Sequence, residues 1–245
     1  APNNAVLIVV GDVDAQEVRP LAEDTYGKIP AAEVPVRDRL DEPPQNAARR
    51  VILEDARVGQ PTLARSYLAP SQNRAGWETA HALDLFAEIL GGGTTSRVYR
   101  ELVVERELAA SAGAYYRGTA LDATTLRVYA TPREGVSLEQ LETALDEVIT
   151  RTLADGVTAD ELARAKTRMQ AESVYARDSL SGAARIFGSA LTTGLAVEDV
   201  ERWPERMAAV TLEQVNGAAR AVLEAERSVT GLLRPAPRTD RGETG

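Results

Sequence analysis

Three helix starts in the second half of the chain are marked by a serine or threonine standing three residues ahead of a glutamine or glutamate: Ser137 with Gln140, Thr158 with Glu161, and Thr211 with Gln214. In such a pair the hydroxyl accepts from the free N–H three residues on. The longer side chain reaches back to the N–H of the first residue, so two orphan donors of a helix start are satisfied together. Between these starts, Leu138, Leu141, Leu145, Val148 and Leu153 recur on one helical face, and Leu162, Ala165, Met169, Ser173 and Ala176 on the next. From Ser137 on the chain is therefore committed to helix, apart from a last strand at "SVTGLLRP". Any sheet must be drawn mainly from what precedes.

The preceding residues supply it. "RRVILED" and "PTLARSYLAP" read as two strands, the second alternating Leu63, Arg65 and Tyr67 against Thr62, Ala64 and Ser66. A helix from about Arg74 to Leu90 carries Trp77, Ala80, Leu83, Ala87 and Leu90 on one face, three glycines stop it, and helix resumes over Thr95–Arg106. "AASAGAYYRG" and "ATTLRVYATP" then alternate on either side of Leu121–Asp122 as an antiparallel hairpin does. Two hairpin-like strand pairs with helices segregated after them predict an α+β fold: an antiparallel-rich sheet with helices packed on one face.

Upstream, Ala5–Val10 is a continuous apolar, β-branched run, expected to be a strand buried on both faces. Asp14, with Glu17 three residues on, has the form of an N-cap for a helix over Ala15–Tyr26 that ends at Gly27. Pro30, Pro35, Pro43 and Pro44 follow among mixed charges, which predicts an extended linker and the best domain boundary in the chain. Beyond Arg234 the sequence is Pro- and charge-rich, expected as a disordered tail.

Composition removes several classes of function. The 37 acidic against 28 basic side chains give a net charge of −9, contrary to the basic excess of a nucleic-acid binder. No apolar run approaches the roughly 18 residues of a membrane span. With no cysteine there is no disulfide and no thiolate metal site. The opening "APNNAVLIVVGDVD" is no signal peptide and reads as a strand entered mid-fold, as in a mature or truncated product. The compartment is left open by the sequence, a periplasmic or otherwise exported one being a candidate for such a product.

The motifs that could carry chemistry are few. "LGGGTTSRVYREL" (90–102) has a helix before its glycines and no lysine, against the strand–loop–helix order of a phosphate cradle. One glycine serves a helix C-cap, in which the left-handed conformation is tolerated. Three suggest that backbone must approach something closely. His81, the only histidine, shares a helix face with Asp84 and Glu88, but the place of a second histidine ligand is taken by Leu85. It is read as a surface histidine beside acidic neighbours. No G-x-S-x-G elbow occurs, and helix capping accounts for Asp14 in "GDVD". In the strand holding Tyr115 and Tyr116, one ring is expected toward the core and the other toward the open side.

Three longer stretches, in order, resemble zinc metallopeptidases of the pitrilysin, insulin-degrading enzyme and mitochondrial processing peptidase type. "NNAVLIVVGDVDAQEVRPLAEDTYGKIP" resembles the end of that family's first domain. "ALDLFAEILGGGTTSRVYRELVVERELAASAGAYY" and "GVTADELARAKTRMQAESVY" resemble the helix–glycine–helix–strand and the long helix of its second domain. The resemblance implies 1–30 as a remnant of the first, zinc-bearing domain, 31–48 as linker, 49–234 as the second, non-metal domain and 235–245 as tail. It implies a fold in which like α+β domains enclose a chamber for an unfolded peptide.

In the family, zinc sits in the first domain on an inverted H-x-x-E-H with a downstream glutamate. That motif is absent from this chain, so it is expected to hold no metal and no catalytic residue, with zinc belonging to the complete enzyme. Many members carry in the second domain an Arg and, seven residues on, a Tyr; the matching positions are Val103 and Ala110. A partner subunit carrying that pair, or a homodimer, is implied. By the same resemblance Gly91, Gly92, Gly93, Ser96 and Arg97 are the candidate peptide-binding residues. The function implied is the chamber-forming, substrate-contacting C-terminal part of a zinc metalloendopeptidase, inactive alone. The alternative is a non-catalytic structural subunit like the core proteins of a respiratory-chain complex.

Overall fold

A computed structural model describes residues 2–35, 38–40, 42–43, 45–177 and 179–236. The chain divides into two compact bodies, residues 44–165 with 209–245, and residues 1–43 with 166–208. In chain order the helices are α1 (Ala15–Thr25), α2 (Gln72–Gly91), α3 (Arg97–Tyr99), α4 (Leu138–Asp155), α5 (Ala159–Arg177), α6 (Leu180–Thr192), α7 (Val197–Glu201), α8 (Trp203–Ala209) and α9 (Leu212–Val222).

The first body is built on a sheet of β1 (Arg49–Asp55), β2 (Thr62–Ala69), β3 (Ala109–Tyr116), β4 (Thr124–Pro132) and β5 (Ser228–Pro235). Their spatial order is β1-β5-β2-β4-β3. Only the β1–β5 pairing is parallel. Period-two alternation decides which face is buried. Leu63, Arg65, Tyr67 and Ala69 of β2 lie inside, in register with Leu126, Val128 and Ala130 of β4 and with Ser228, Thr230 and Leu232 of β5. Helices α2, α4 and α9 pack over that face, as the α+β reading requires. Leu83, Leu85, Leu90, Leu126, Leu141 and Leu145 are all fully buried, each contributing about 2 kcal/mol over an exposed position.

An arginine stands in this apolar face because its charge is met. Arg65 donates to Thr230 Oγ1 at 3.0 Å and to Glu142 at 2.8 Å, and is also ion-paired with Asp146. Arg50 clamps the same Glu142 with two bonds of 2.9 and 2.7 Å. All three expected capping boxes are made, Ser137–Gln140, Thr158–Glu161 and Thr211–Gln214.

In the second body Asp14 caps α1, accepting from the Gln16 N–H at 2.7 Å. Asn3 is bonded in both directions to Ala32, at 3.0 and 3.2 Å. Ser179 caps α6 through the Gly182 N–H, and Arg206 pairs with Asp199 at 2.5 Å.

Several expectations are corrected. Ala5–Val10 is not a strand, since no ladder among the described residues includes it, and Val6, Leu7, Val9 and Val10 are exposed. A strand needs a neighbour to take its backbone polar groups, whatever its composition. The first two strands are not a hairpin either, because β5 inserts between β1 and β2. Helix resumes at Arg97 rather than Thr95, and Arg100–Glu105 winds as a π-helix. Pro235 belongs to β5, and the Ala236 N–H donates to the Asp55 carbonyl. Residues 237–245 of the expected tail, Val36, Arg37, Asp41 and Pro44 of the expected linker, and the side chain of Ala176 lie outside the described residues. The rest of 31–48 contains no helix or strand.

Candidate functional site

The glycine triplet closes α2 against β3. A Cβ built on Gly91 would lie 1.9 Å from the Ala114 nitrogen and 2.5 Å from the Gly113 carbonyl carbon, so no side chain fits between helix and strand there. Gly92 donates its N–H to the Glu88 carbonyl at 2.9 Å, with φ −77°. None of the three has a positive φ. The expected left-handed cap is therefore not what these glycines provide; the first is required by close packing. A Cβ on Gly92 would meet the Glu88 Cα at 2.7 Å, so this position too resists substitution.

Beyond Gly92 the chain turns tightly. The Gly93 carbonyl accepts from the Ser96 N–H at 3.0 Å and from the Ser96 hydroxyl at 2.5 Å. Ser96 is buried, while Gly92, Thr94 and Thr95 are exposed. Arg97, which opens α3, gives its guanidinium to other partners. It donates to both carboxylate oxygens of Glu161 at 2.8 and 2.7 Å and to the Gly156 carbonyl at 2.8 Å. Arg97 and the N–H and hydroxyl of Thr158 hold the Glu161 carboxyl down to about 2. Asn216 braces the same turn, exchanging bonds with the Val157 backbone at 2.7 and 3.3 Å.

The five candidate residues thus separate. Gly91 and Ser96 are buried, Arg97 belongs to an ion pair, and Gly92, half-buried Gly93 and the following threonines form the accessible tip. Alongside lies a charged cleft of about 380 Å³ lined by Arg97, Arg100, Arg151, Asp155, Asp160 and Arg164 among others. Val103 is buried and Ala110 exposed. Between them Glu107 has φ 53°, the left-handed region that costs a residue with a Cβ about 1–2 kcal/mol.

His81 overturns its sequence reading. It is 3% exposed, within α2, with its Nδ1 3.6 Å from Asp84 and its ring 6.0 Å from that of Trp77. Helix α2 buries most of its circumference, and the acidic neighbour is an internal companion of the imidazole. Burial pushes the Asp84 carboxyl up, against the opposing pull of His81. Among the described residues no group of three or more His, Cys, Asp or Glu could hold a metal ion. The described residues do not fit a zinc site. Nor is any helix of the described residues long and apolar enough to cross a membrane.

The tyrosine pair divides as alternation predicts. Tyr116 turns toward the helices and donates its hydroxyl to the Pro70 carbonyl; burial and Asp84 push its phenol up. Tyr115 is exposed, with its ring 6.3 Å from that of Tyr129. These two rings and Arg127 edge a depression of about 310 Å³ on the outer face of the sheet. Sequence reasoning missed this group. The alternation in "TTLRVYATP" puts Arg127 and Tyr129 on one face, but only the β3–β4 register brings Tyr115 beside them.

Comparison with known proteins supplies the context for this geometry. Residues 1–169 match the family model described as the peptidase M16 inactive domain. An uncharacterized zinc protease of Streptomyces coelicolor is 32% identical over 237 residues, which cover 91% of this chain and 48% of the relative. One from Mycobacterium leprae is 28% identical over 91% of this chain and 49% of its own length. The chain thus spans about half the length of these relatives. The fold matches the crystal structure of a protease from Helicobacter pylori with a TM-score of 0.83, at 21% identity, over 92% of this chain and 54% of that one.

Proposed function

The chain belongs to the family of inactive M16 peptidase domains, and from that premise we propose that it is the chamber-forming, substrate-contacting half of a zinc-dependent metallopeptidase. The carrying observation is a half-length match, over 91% of this chain, to relatives called zinc proteases, in a chain whose single histidine is buried in a helix. Zinc, bound by another part of the complete enzyme, would supply Lewis-acid activation of water and of the scissile carbonyl. This half contributes walls and contacts. Residues 1–30 act as the end of the metal-bearing domain, 31–48 as linker, and 49–234 as the non-metal domain. The peptide partner is an unfolded or extended chain. The Arg–Tyr pair absent at Val103 and Ala110 comes from a different partner subunit; the alternative assembly is a homodimer, which lacks the pair.

The peptide contact assigned to this half begins at the tip formed by Gly92, Gly93 and Thr94, between the buried anchors Gly91 and Ser96. An extended chain can approach this backbone closely, because glycines interpose no Cβ. Arg97 serves by holding the turn through Glu161 rather than by touching substrate.

The test has two arms. The chain alone is expected to carry no stoichiometric zinc and to show no chelator-sensitive cleavage, whereas the complete enzyme shows both. Thr94→Trp in the complete enzyme is then expected to raise KM severalfold with an unchanged melting temperature. Zinc-dependent cleavage by the isolated chain would overturn the proposal, and unchanged kinetics of the tryptophan variant would remove the loop from it.

A further inference from the structure

Opposite its helices the sheet presents a second face with a composition of its own. Its centre is floored by small residues, Ala64 of β2 and Gly231 of β5, which are register partners. Leu53 and Leu233, also partners, stand on one side. Tyr115 and Tyr129 stand on the other, 41% and 39% exposed. Gly113 is opposite Tyr129, and a Cβ there would lie 2.6 Å from the Tyr129 hydroxyl. The missing side chain lets that ring lie flat across β3. The result is a shallow trough with apolar and aromatic walls.

Charge on this face is one-sided. In a chain of net charge −9, the outward strand positions carry Arg49 and Arg127, and among the described residues their one carboxylate is Asp55. Asp55 lies at the end of β1 and is held by Arg57 at 2.7 Å. Arg127 has no carboxylate partner among the described residues; its guanidinium reaches only the Tyr115 hydroxyl, at 3.5 Å. Thr62 and Thr131 add hydroxyls at the rim of the depression beside it.

The geometry points to this trough as a subsite for an extended peptide segment carrying apolar or aromatic side chains and a carboxylate that pairs with Arg127. This rests on the peptide-contacting reading above and specifies the chemistry of the peptide. Side chains alternating along an extended segment would fill the trough between the leucines and the tyrosines, and the carboxylate supplies the charge the face lacks. A second copy of the same face is a poor occupant, because two-fold pairing sets Arg49 and Arg127 against themselves. Nucleic acid is excluded by the net charge of the chain and by only two cations on the face.

The test is fluorescence anisotropy on the chain, with a fluorescein-labelled ten-residue peptide of alternating apolar residues and one central glutamate, and its glutamine and lysine analogues. The glutamate peptide is expected to bind about tenfold tighter than the lysine analogue, an advantage that falls as salt is raised. Arg127→Glu reverses that preference, and Tyr129→Ser weakens both peptides severalfold. Both side chains are exposed, and unchanged melting curves verify that the variants fold. Equal binding of the three peptides, an unaltered preference in Arg127→Glu, or no binding to millimolar concentration overturns the inference. Concentration-dependent dimerisation abolished by Arg127→Glu also overturns it and assigns the face to a second copy. Thr94→Trp separates the two readings. If it weakens binding while the face variants do not, the loop stands and the trough falls; the opposite pattern keeps the trough and removes the loop.

Discussion

Residues 5–10, "AVLIVV", and β5, "SVTGLLRP", are both apolar runs with strand composition, and they have opposite fates. β5 is bonded on both edges, parallel to β1 and antiparallel to β2, and buries Leu232 to 2% exposure under the helices. The earlier run has no ladder, and Val6, Leu7, Val9 and Val10 are 39% to 54% exposed. β5, less continuously apolar than its counterpart, is the one that becomes a strand. The difference teaches that strand formation is a property of a pair, because each extended segment leaves donors and acceptors that only a neighbour or water can satisfy. In the reading proposed here, the neighbours of residues 5–10 belong to the metal-bearing part of the enzyme.

The comparison breaks most directly at matched leucines. Leu232→Asp is expected to cost about 4 kcal/mol or more in denaturant unfolding, because it buries an unpaired carboxylate. Leu7→Asp is expected to stay within about 0.5 kcal/mol. Similar losses at the two positions would show that residues 5–10 are packed after all.

Matched glycines sharpen it. Gly91→Ala drives a Cβ into β3 backbone that cannot move aside, for a loss of about 3 kcal/mol. Gly11, just after the unpaired run, has nothing within 4 Å of a built Cβ. Alanine there should leave the unfolding midpoint unchanged.

Ion pairs give a smaller contrast. Glu161→Gln is expected to cost about 2 kcal/mol at neutral pH, since it weakens charge-assisted bonds at a partly buried helix start. The folded carboxyl titrates at about 2 against an ordinary 4.5. Its contribution is therefore complete above about pH 4.5 and is lost as pH falls toward 2. Unfolding midpoints followed from pH 6 to pH 2 should fall less steeply in the variant. Replacing Glu23 by Gln in the exposed Arg19–Glu23 pair of α1 should leave the unfolding midpoint at neutral pH unchanged.

The smallest effect has the opposite sign. Glu107→Gly relieves a left-handed backbone and should raise stability by about 1 kcal/mol. A loss would mean that the ion pair of Glu107 with Arg133, 3.7 Å apart, outweighs the backbone strain.

Helix starts were the most legible part of the fold, because a capping box satisfies donors within three residues of its own hydroxyl and needs no distant partner. The β3–β4 hairpin was legible for a similar reason, its strands being joined by a short connection. The insertion of β5 between β1 and β2 was not, since it joins segments about 180 residues apart, as the Val51–Gly231 pairing shows. Within the candidate site, the sequence pointed to close backbone approach at Gly91–Gly93 without naming what approaches. That neighbour is β3, whose Gly113 and Ala114 follow more than twenty residues later. His81 was misplaced because its acidic neighbours look the same in sequence whether the helix face they share is wet or buried.

By itself the sequence determined the helices that carry their own caps, the alternation that gives each strand an inner and an outer face, the α+β class and the absence of an H-x-x-E-H motif. These rest on interactions reaching a few residues along the chain, or on composition alone. Tertiary structure alone decided that "SVTGLLRP" pairs while "AVLIVV" does not, that Gly91 must lack a side chain, that Arg97 is spent on Glu161, and that Tyr115, Arg127 and Tyr129 meet on one face. Each of these depends on a partner distant in sequence, and burial and hydrogen bonding act on what is near in space.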